Sequence, residues 1–221
     1  MGNSFNKKLQ VNLQVDILQK TNKMKLYKFR PLADCNDLKR IEYIINSGFY
    51  CCDFLNFNDM NEGVFSTNQK NKNITLNQKL QYKICSFSGK NALNNQLMWG
   101  HYANAGMGIV IEVEVNNCKN IKEVIYSDKY DALNSIEEIL THKTTEWEYE
   151  NEFRCIIKDS SACGITRKIG NITKIYFGTP YKELENYDSI KEQHKKLKKY
   201  LDLKKKLKDI IKIDCKDFKF T

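Results

Sequence analysis

Eight consecutive residues, Trp147-Glu148-Tyr149-Glu150-Asn151-Glu152-Phe153-Arg154, constrain this chain more than any other stretch. Side chains alternate between faces along a strand. If the stretch is extended, Glu150, Glu152 and Arg154 share one face, and Tyr149, Asn151 and Phe153 the other. Cys155, Ile156 and Ile157 continue it as an apolar, β-prone run, which predicts a strand entering a core. Two carboxylates and a guanidinium at a strand entrance can bind sugar hydroxyls, hold a cation or polarise a leaving group. The same pattern describes a solvated edge strand with a Glu–Arg ladder. By itself the stretch leaves both readings open.

The rest of the chain supplies a setting for that strand. At 221 residues it can build one sizeable core. A hydrophobic content of 41% with 29% charged residues is that of a globular protein. No apolar run approaches the roughly 20 residues of a membrane span, and the polar start of the chain has no apolar signal region. The eight cysteines (Cys35, Cys51, Cys52, Cys85, Cys118, Cys155, Cys163, Cys215) include no C-x-x-C pair, so a zinc site is not expected and free thiols in a reducing cytoplasm are. The net charge of +9 is concentrated late: residues 181–221 hold thirteen Lys against eight acids. A basic helix there suits either plain solvation or contact with nucleic acid.

Periodicity and punctuation predict an α+β domain of short, mostly antiparallel strands with interspersed helices. Residues 1–25 read as an N-terminal arm, and 26–221 as one domain. Leu26–Phe29 is a strand stopped at Arg30-Pro31, and Asp34 or Asn36 caps a helix ended by Gly48. Asn58, Asp59 and Glu62 belong to a turn-rich loop. Lys83–Phe87 is a strand, Leu93–Ala103 a helix and Gly108–Val115 a strong strand, while Ser135 with Glu138 forms a capping box. A Lys-rich helix and a closing strand from about Ile210 occupy 181–221.

In order, Leu26-Tyr27-Lys28-Phe29-Arg30, Phe57-Asn58-Asp59, Cys85-Ser86-Phe87-Ser88, Leu97-Met98-Trp99-Gly100-His101-Tyr102-Ala103, Gly108-Ile109-Val110-Ile111-Glu112, the Trp147–Arg154 stretch and Ile175-Tyr176-Phe177-Gly178 resemble the bacterial family catalogued as domain of unknown function 2971. The likeness spans about residues 26 to 180. Met60-Asn61 replaces the family's usual Pro-Phe, with Glu62 kept. The layout is also similar, more distantly, to the ADP-ribosyltransferase fold: an early basic residue, a middle strand–helix unit, and a late strand opening with Glu-x-Glu.

That second resemblance implies NAD as substrate and no metal, with a protein, a nucleic acid or water as acceptor. Glu152 would stabilise the oxocarbenium character of the ribose, and Glu150 would activate the acceptor. Arg30 would grip the pyrophosphate. Ser86 and Ser88 would bind the nicotinamide ribose, Tyr102 or Trp99 would stack on the ring, and Tyr27 would line the same cleft. Arg154 would orient the carboxylates, and Asn58, Asp59, Glu62 and His101 would complete the cleft. Resemblance to an uncharacterised bacterial family leaves a toxin or phage-defence role open beside a housekeeping one. Thr141–Trp147 would be the loop that presents the target, and Glu152→Gln would leave the fold intact. A structural partner protein whose Lys-rich tail does the binding is one alternative, and two more stay open. One is a nucleotide-binding or sensor module without turnover. The other is a metal-dependent nuclease using Asp59, Glu62, Glu112, Glu150 and Glu152, for which no compact metal-binding motif exists.

Overall fold

Seven strands hydrogen-bond into one sheet in the computed structural model, in the spatial order Asp214–Asp217, Asn171–Phe177, Gly108–Val115, Met24–Pro31, Tyr82–Ser88, Glu152–Lys158 and Ile121–Glu123. It describes residues 23–57, 59, 65, 69–116, 120–129, 135–180 and 194–220. In chain order the main-sheet strands are β1 (Met24–Pro31), β3 (Tyr82–Ser88), β4 (Gly108–Val115), β5 (Ile121–Glu123), β8 (Glu152–Lys158), β10 (Asn171–Phe177) and β11 (Asp214–Asp217). Only the β10–β11 pair is parallel; the other pairs in this sheet are antiparallel. Two small sheets flank it: β2 (Phe49–Cys51) with β9 (Ile165–Arg167), and β6 (Ile125–Tyr126) with β7 (His142–Lys143). The chain is therefore α+β, with one curled mixed sheet and interspersed helices, as its sequence predicts.

Alternation along the strands divides the sheet into two apolar faces. Leu26, Ile109, Ile111, Val113, Cys85, Phe87, Cys155, Ile175 and Phe177 point to the first. Helix α1 (Cys35–Ser47) covers it with Leu38, Ile41 and Ile44, and α6 (Lys195–Ile210) with Leu197, Tyr200, Leu203 and Leu207. Asp34 caps α1 by accepting from the backbone N–H groups of Asn36 and Asp37, and Gly48 closes it at a φ of 118°. The Lys-rich segment is thus amphipathic: its leucine stripe is buried and most of its lysines face outward. The opposite face carries Tyr27, Phe29 and Val110 under α3 (Lys90–Leu93) and α4 (Gln96–Tyr102).

Several elements differ from the sequence reading. Leu93–Ala103 is not one helix, because Asn94 and Asn95 leave helical geometry and Asn95 caps α4 by accepting from Leu97 N–H. The polar stretch after the Asn58 loop is helix α2 (Gln69–Lys79). Helix α6 runs through Ile210, so the closing strand starts only at Asp214. Strand β1 begins at Met24, inside the expected arm; residues 1–22 lie outside the described residues. Helix α5 (Ile136–Leu140) carries the expected capping box between Ser135 and Glu138.

One feature of the sheet makes room for a site. Strands β1 and β3 pair at a single position, Tyr27 with Ser88, whereas β1 pairs with β4 along its whole length. Beyond Tyr27 the ladder forks. The Lys28 ammonium reaches across and donates to the Ser86 carbonyl at 2.6 Å, a backbone acceptor on the strand edge that the fork leaves without a β1 neighbour.

Candidate functional site

A cavity of about 960 Å³ occupies this fork. It is lined from β1 by Tyr27, Lys28, Phe29 and Arg30, from β3 by Ile84, Cys85, Ser86, Phe87 and Ser88, and from α1 by Lys39, Arg40, Tyr43 and Ile44. Helix α4 adds Met98, His101 and Tyr102, and the β7–β8 region adds Lys143, Glu150 and Glu152. Its charge is uneven: five cationic side chains (Lys28, Arg30, Lys39, Arg40, Lys143) face two carboxylates (Glu150, Glu152).

The carboxylates reach it by a backbone device that period-two reasoning missed. Thr145–Glu150 is a 3₁₀ helix rather than an extended stretch, and β8 begins at Glu152. Between them Asn151 adopts the left-handed conformation (φ 44°, ψ 54°), which asparagine tolerates better than most residues. Its carbonyl accepts from Gly89 N–H at 2.7 Å, fastening the turn to the end of β3. The turn reverses direction so that Glu150 and Glu152 still converge, bridged by a lysine. Lys143 Nζ lies 2.6 Å from Glu150 Oε2 and 3.2 Å from Glu152 Oε2.

Each member of the cluster is held from several sides. Arg154 is wholly buried; its Nε and Nη2 donate to the two Glu152 oxygens at 2.8 and 2.9 Å, and Nη1 donates to the Leu140 carbonyl at 2.5 Å. Tyr126 OH accepts from Glu152 N–H at 2.7 Å, and the Tyr102 hydroxyl donates to Glu150 Oε1. The Trp147 ring covers the Lys143 ammonium at 4.7 Å.

Burial raises the Glu152 carboxyl, but Arg154 first, then Lys143 and a hydrogen bond from Ser86, overcome it and bring it down to about 2. For Glu150 burial prevails: it sits above the ordinary carboxylate value, since attraction to Lys143 is offset in part by Glu152. Burial alone would lower Lys143; the two glutamates reverse that and hold its ammonium above the ordinary value. The cluster therefore holds one carboxylate with a very weak proton affinity beside one with an enhanced affinity, a pairing suited to separate charge-stabilising and proton-accepting roles.

The expected site residues separate into groups. Tyr27, Arg30, Ser86, Ser88, His101, Tyr102, Glu150 and Glu152 all line the cavity. Register places Arg30 opposite Ile109, on the other face of the sheet from Glu152, which pairs with Ser88. Both nonetheless line the one cavity at the fork, although Arg30 on the opposite face weakens it as the dinucleotide anchor expected from the sequence. Arg154 stands behind the carboxylates, in the orienting position expected of it.

Trp99 does not line the cavity. It is 2% exposed, stacked on Phe218 at 5.0 Å and edge-on to Phe29, with its indole N–H donating to the Leu93 carbonyl at 2.9 Å, so it is unavailable for stacking on a ligand. Asp59 is buried away from the cavity lining, and Asn58 and Glu62 lie outside the described residues. Glu112, offered for a metal, is instead tied to Lys25, Thr173 and Tyr176. Among the described residues no group of three or more His, Cys, Asp or Glu side chains is placed to hold a metal ion. None of their helices is long and apolar enough to cross a membrane.

Sequence reasoning missed Lys143, Lys28, Lys39 and Arg40. Thr141–Trp147, read as a target-presenting loop, instead delivers Lys143 into the carboxylates from β7, where it is 6% exposed. No family model matches the chain, and neither does any curated protein or any solved structure. The family likeness therefore rests on the quoted motifs.

Proposed function

We propose that the chain binds a nucleotide in the forked cavity and breaks its N-glycosidic bond beside Glu152, with NAD as the substrate. The observation that carries this reading is the polarity of one open cavity. A cationic wall of Arg30, Lys39 and Arg40 stands across from a buried pair of carboxylates with divergent proton affinities. Phosphates suit the first wall by charge and by guanidinium geometry. A ribose suits the second, where Ser86, Ser88 and Tyr102 add hydroxyls.

In the reaction the bond from ribose C1′ to the nicotinamide nitrogen breaks, and its electron pair leaves with nicotinamide. Positive charge develops on the ribose, and the Glu152 carboxylate, ionised at all ordinary pH, lies where it offsets that charge. Glu150, whose proton affinity is raised, accepts the proton of the attacking acceptor nucleophile; Tyr102 and Lys143 fix its position.

A second reading, binding without turnover, is favoured by one observation. Arg154 and Lys143 already neutralise Glu152, which leaves less negative charge for a transition state. Nicotinamide release and ligand-induced thermal shift, measured together with NAD, separate the two. Turnover predicts release by the wild type, and a fall on the order of 100- to 1000-fold in Glu152→Gln. Glu150→Gln is expected to weaken transfer to an acceptor more than hydrolysis.

Because Glu152→Gln strips a counter-charge from the buried Arg154, its fold cannot be assumed intact, contrary to the sequence-based expectation. Glu152→Asp, which retains the charge and withdraws the carboxylate, is therefore the paired variant, with melting curves for both. A thermal shift without release supports the binding module. Neither shift nor release removes NAD from consideration.

A further inference from the structure

Three buried cysteines lie in a row across adjacent strands, beside the site but outside its proposed chemistry. Cys85 on β3 pairs directly with Cys155 on β8. On its other side, the bridge between Cys52 and Ile84 exchanges both backbone hydrogen bonds, at 3.0 and 2.7 Å. The bridge is isolated, but its antiparallel register, continued by one residue, sets Cys51 opposite Cys85 as a non-hydrogen-bonded pair would stand. Such pairs bring Cα atoms to about 4.5 Å, inside the range that a disulfide spans. All three side chains belong to the same apolar face.

Two observations distinguish Cys85. It belongs to the cavity lining, although it is only 2% exposed. It also has the cations of β1 beside it. The Cys51 thiol, which donates to the Phe49 carbonyl at 3.8 Å, can turn that hydrogen bond to a Cys85 thiolate, and with Lys28 and Arg30 this outweighs burial and brings Cys85 down to about 7. The neighbouring thiols go the other way. Cys51 is pushed up by that same hydrogen bond and by burial, and Cys155 is raised by burial to about 11.

We propose that Cys85 is a peroxide-oxidisable thiol at the cavity wall, and that Cys51 resolves it to a disulfide between β2 and β3. In the first step the Cys85 thiolate attacks one oxygen of hydrogen peroxide, the O–O bond breaks, and the departing hydroxide is protonated to water. In the second, the Cys51 sulfur attacks the Cys85 sulfenic acid. The S–S bond forms, the S–O bond breaks, and the expelled hydroxide takes up the Cys51 proton as water. Two thiols lose two electrons in total and one peroxide gains them, giving two waters. The bond would staple the β2–β9 ribbon, which meets β3 through the Cys52–Ile84 bridge, to the main sheet along one wall of the cavity.

The test uses the full chain with limiting hydrogen peroxide, quenched by a thiol alkylator and followed by intact mass and peptide mapping. The exposed thiols Cys35 and Cys163 serve as internal references. The expected result is a loss of about 2 Da, mapping to a Cys51–Cys85 peptide before Cys35 or Cys163 is modified, with a melting temperature several degrees above the reduced form. Cys51→Ser should stop at a Cys85 sulfenic acid that dimedone captures, and Cys155→Ser should still form the disulfide. Oxidation of Cys35 or Cys163 ahead of Cys85 overturns the proposal, and so does a Cys85–Cys155 link in the wild type. The wild-type map decides even if a variant fails to fold.

Discussion

Glu112 and Glu152 are both buried carboxylates on sheet strands, and their surroundings solve the same problem in opposite ways. Glu112, in the middle of β4, accepts from Lys25 and Thr173 at one oxygen and from Tyr176 at the other, at 2.9 to 3.0 Å. These groups come from the neighbouring strands β1 and β10, so the carboxylate ties three strands together. Its one cation has a 55% exposed side chain. Glu152 is compensated by cations that are themselves buried, Arg154 and Lys143, and these share it with a second carboxylate. A strand tie needs hydroxyls and one solvated lysine. Burying two carboxylates and two cations next to a cavity is a costlier arrangement, which is expected where the charges are wanted for chemistry or recognition.

The widest test of that contrast removes one cation from each cluster. Arg154→Met leaves the buried Glu152 with Lys143, already shared with Glu150, as its remaining paired cation, and it removes the donor to the Leu140 carbonyl. Breaking such a buried pair costs about 3–5 kcal/mol. Lys25→Met deletes a pair whose cation is largely exposed although Glu112 is buried; a loss of about 1 kcal/mol is expected, because Thr173 and Tyr176 still satisfy Glu112. Denaturant unfolding of the two variants measures the difference. Comparable losses would mean that the Glu152 cluster is no more than another strand tie.

Acid titration resolves the two carboxylates of the site. Glu152 lies below its unfolded value of 4.5, at about 2, so its contribution is fully present above pH 4.5 and is lost as pH falls toward 2. The amount is on the order of 3 kcal/mol. Glu150 is raised, so the sign reverses: the folded state holds its proton more tightly, and stability falls as pH rises from 4.5 through the folded value. Melting temperature against pH should thus lose its steep limb between pH 4.5 and 2 in Glu152→Gln. Glu150→Gln should instead flatten the decline above pH 4.5. Profiles parallel to the wild type in both variants would contradict the assigned roles.

What was legible beforehand follows from what is local. Alternation in Gly108–Val115, the Asp34 cap and the Ser135–Glu138 capping box are encoded within a few residues, and they gave the α+β class. The convergence of Tyr102, Glu150 and Glu152 was legible as a set of punctuated motifs, but the means was not: nothing in Glu-x-Glu announces a 3₁₀ helix and a left-handed Asn151. Trp99 was misassigned because its stacking neighbour, Phe218, lies over a hundred residues downstream. Lys143 was missed although its carboxylate partners, Glu150 and Glu152, are near in sequence. A lone lysine in a polar segment reads as solvated until β6 and β7 pair and turn it inward. The fork between β1 and β3 left no mark on the sequence, since it consists of a ladder that stops.

The smallest effect concerns the turn that distinguishes the Glu152 site from a simple strand. Asn151 holds φ 44° with Gly89 N–H on its carbonyl, and its side chain packs directly against Gly89. Alanine at this position faces the left-handed penalty of about 1 kcal/mol, whereas glycine adopts the conformation freely and adds only unfolded-state entropy. Asn151→Ala should therefore lower stability by about 1 kcal/mol and Asn151→Gly by less, if the turn is held by backbone geometry. The site should register the change as well. An alanine that relaxes toward extended geometry would swing Glu150 away from Lys143, and the downward slope of stability above pH 4.5 would weaken with it. Equal stability and unchanged pH slopes in the wild type and both variants would show that Lys143, not the turn, brings the two carboxylates together.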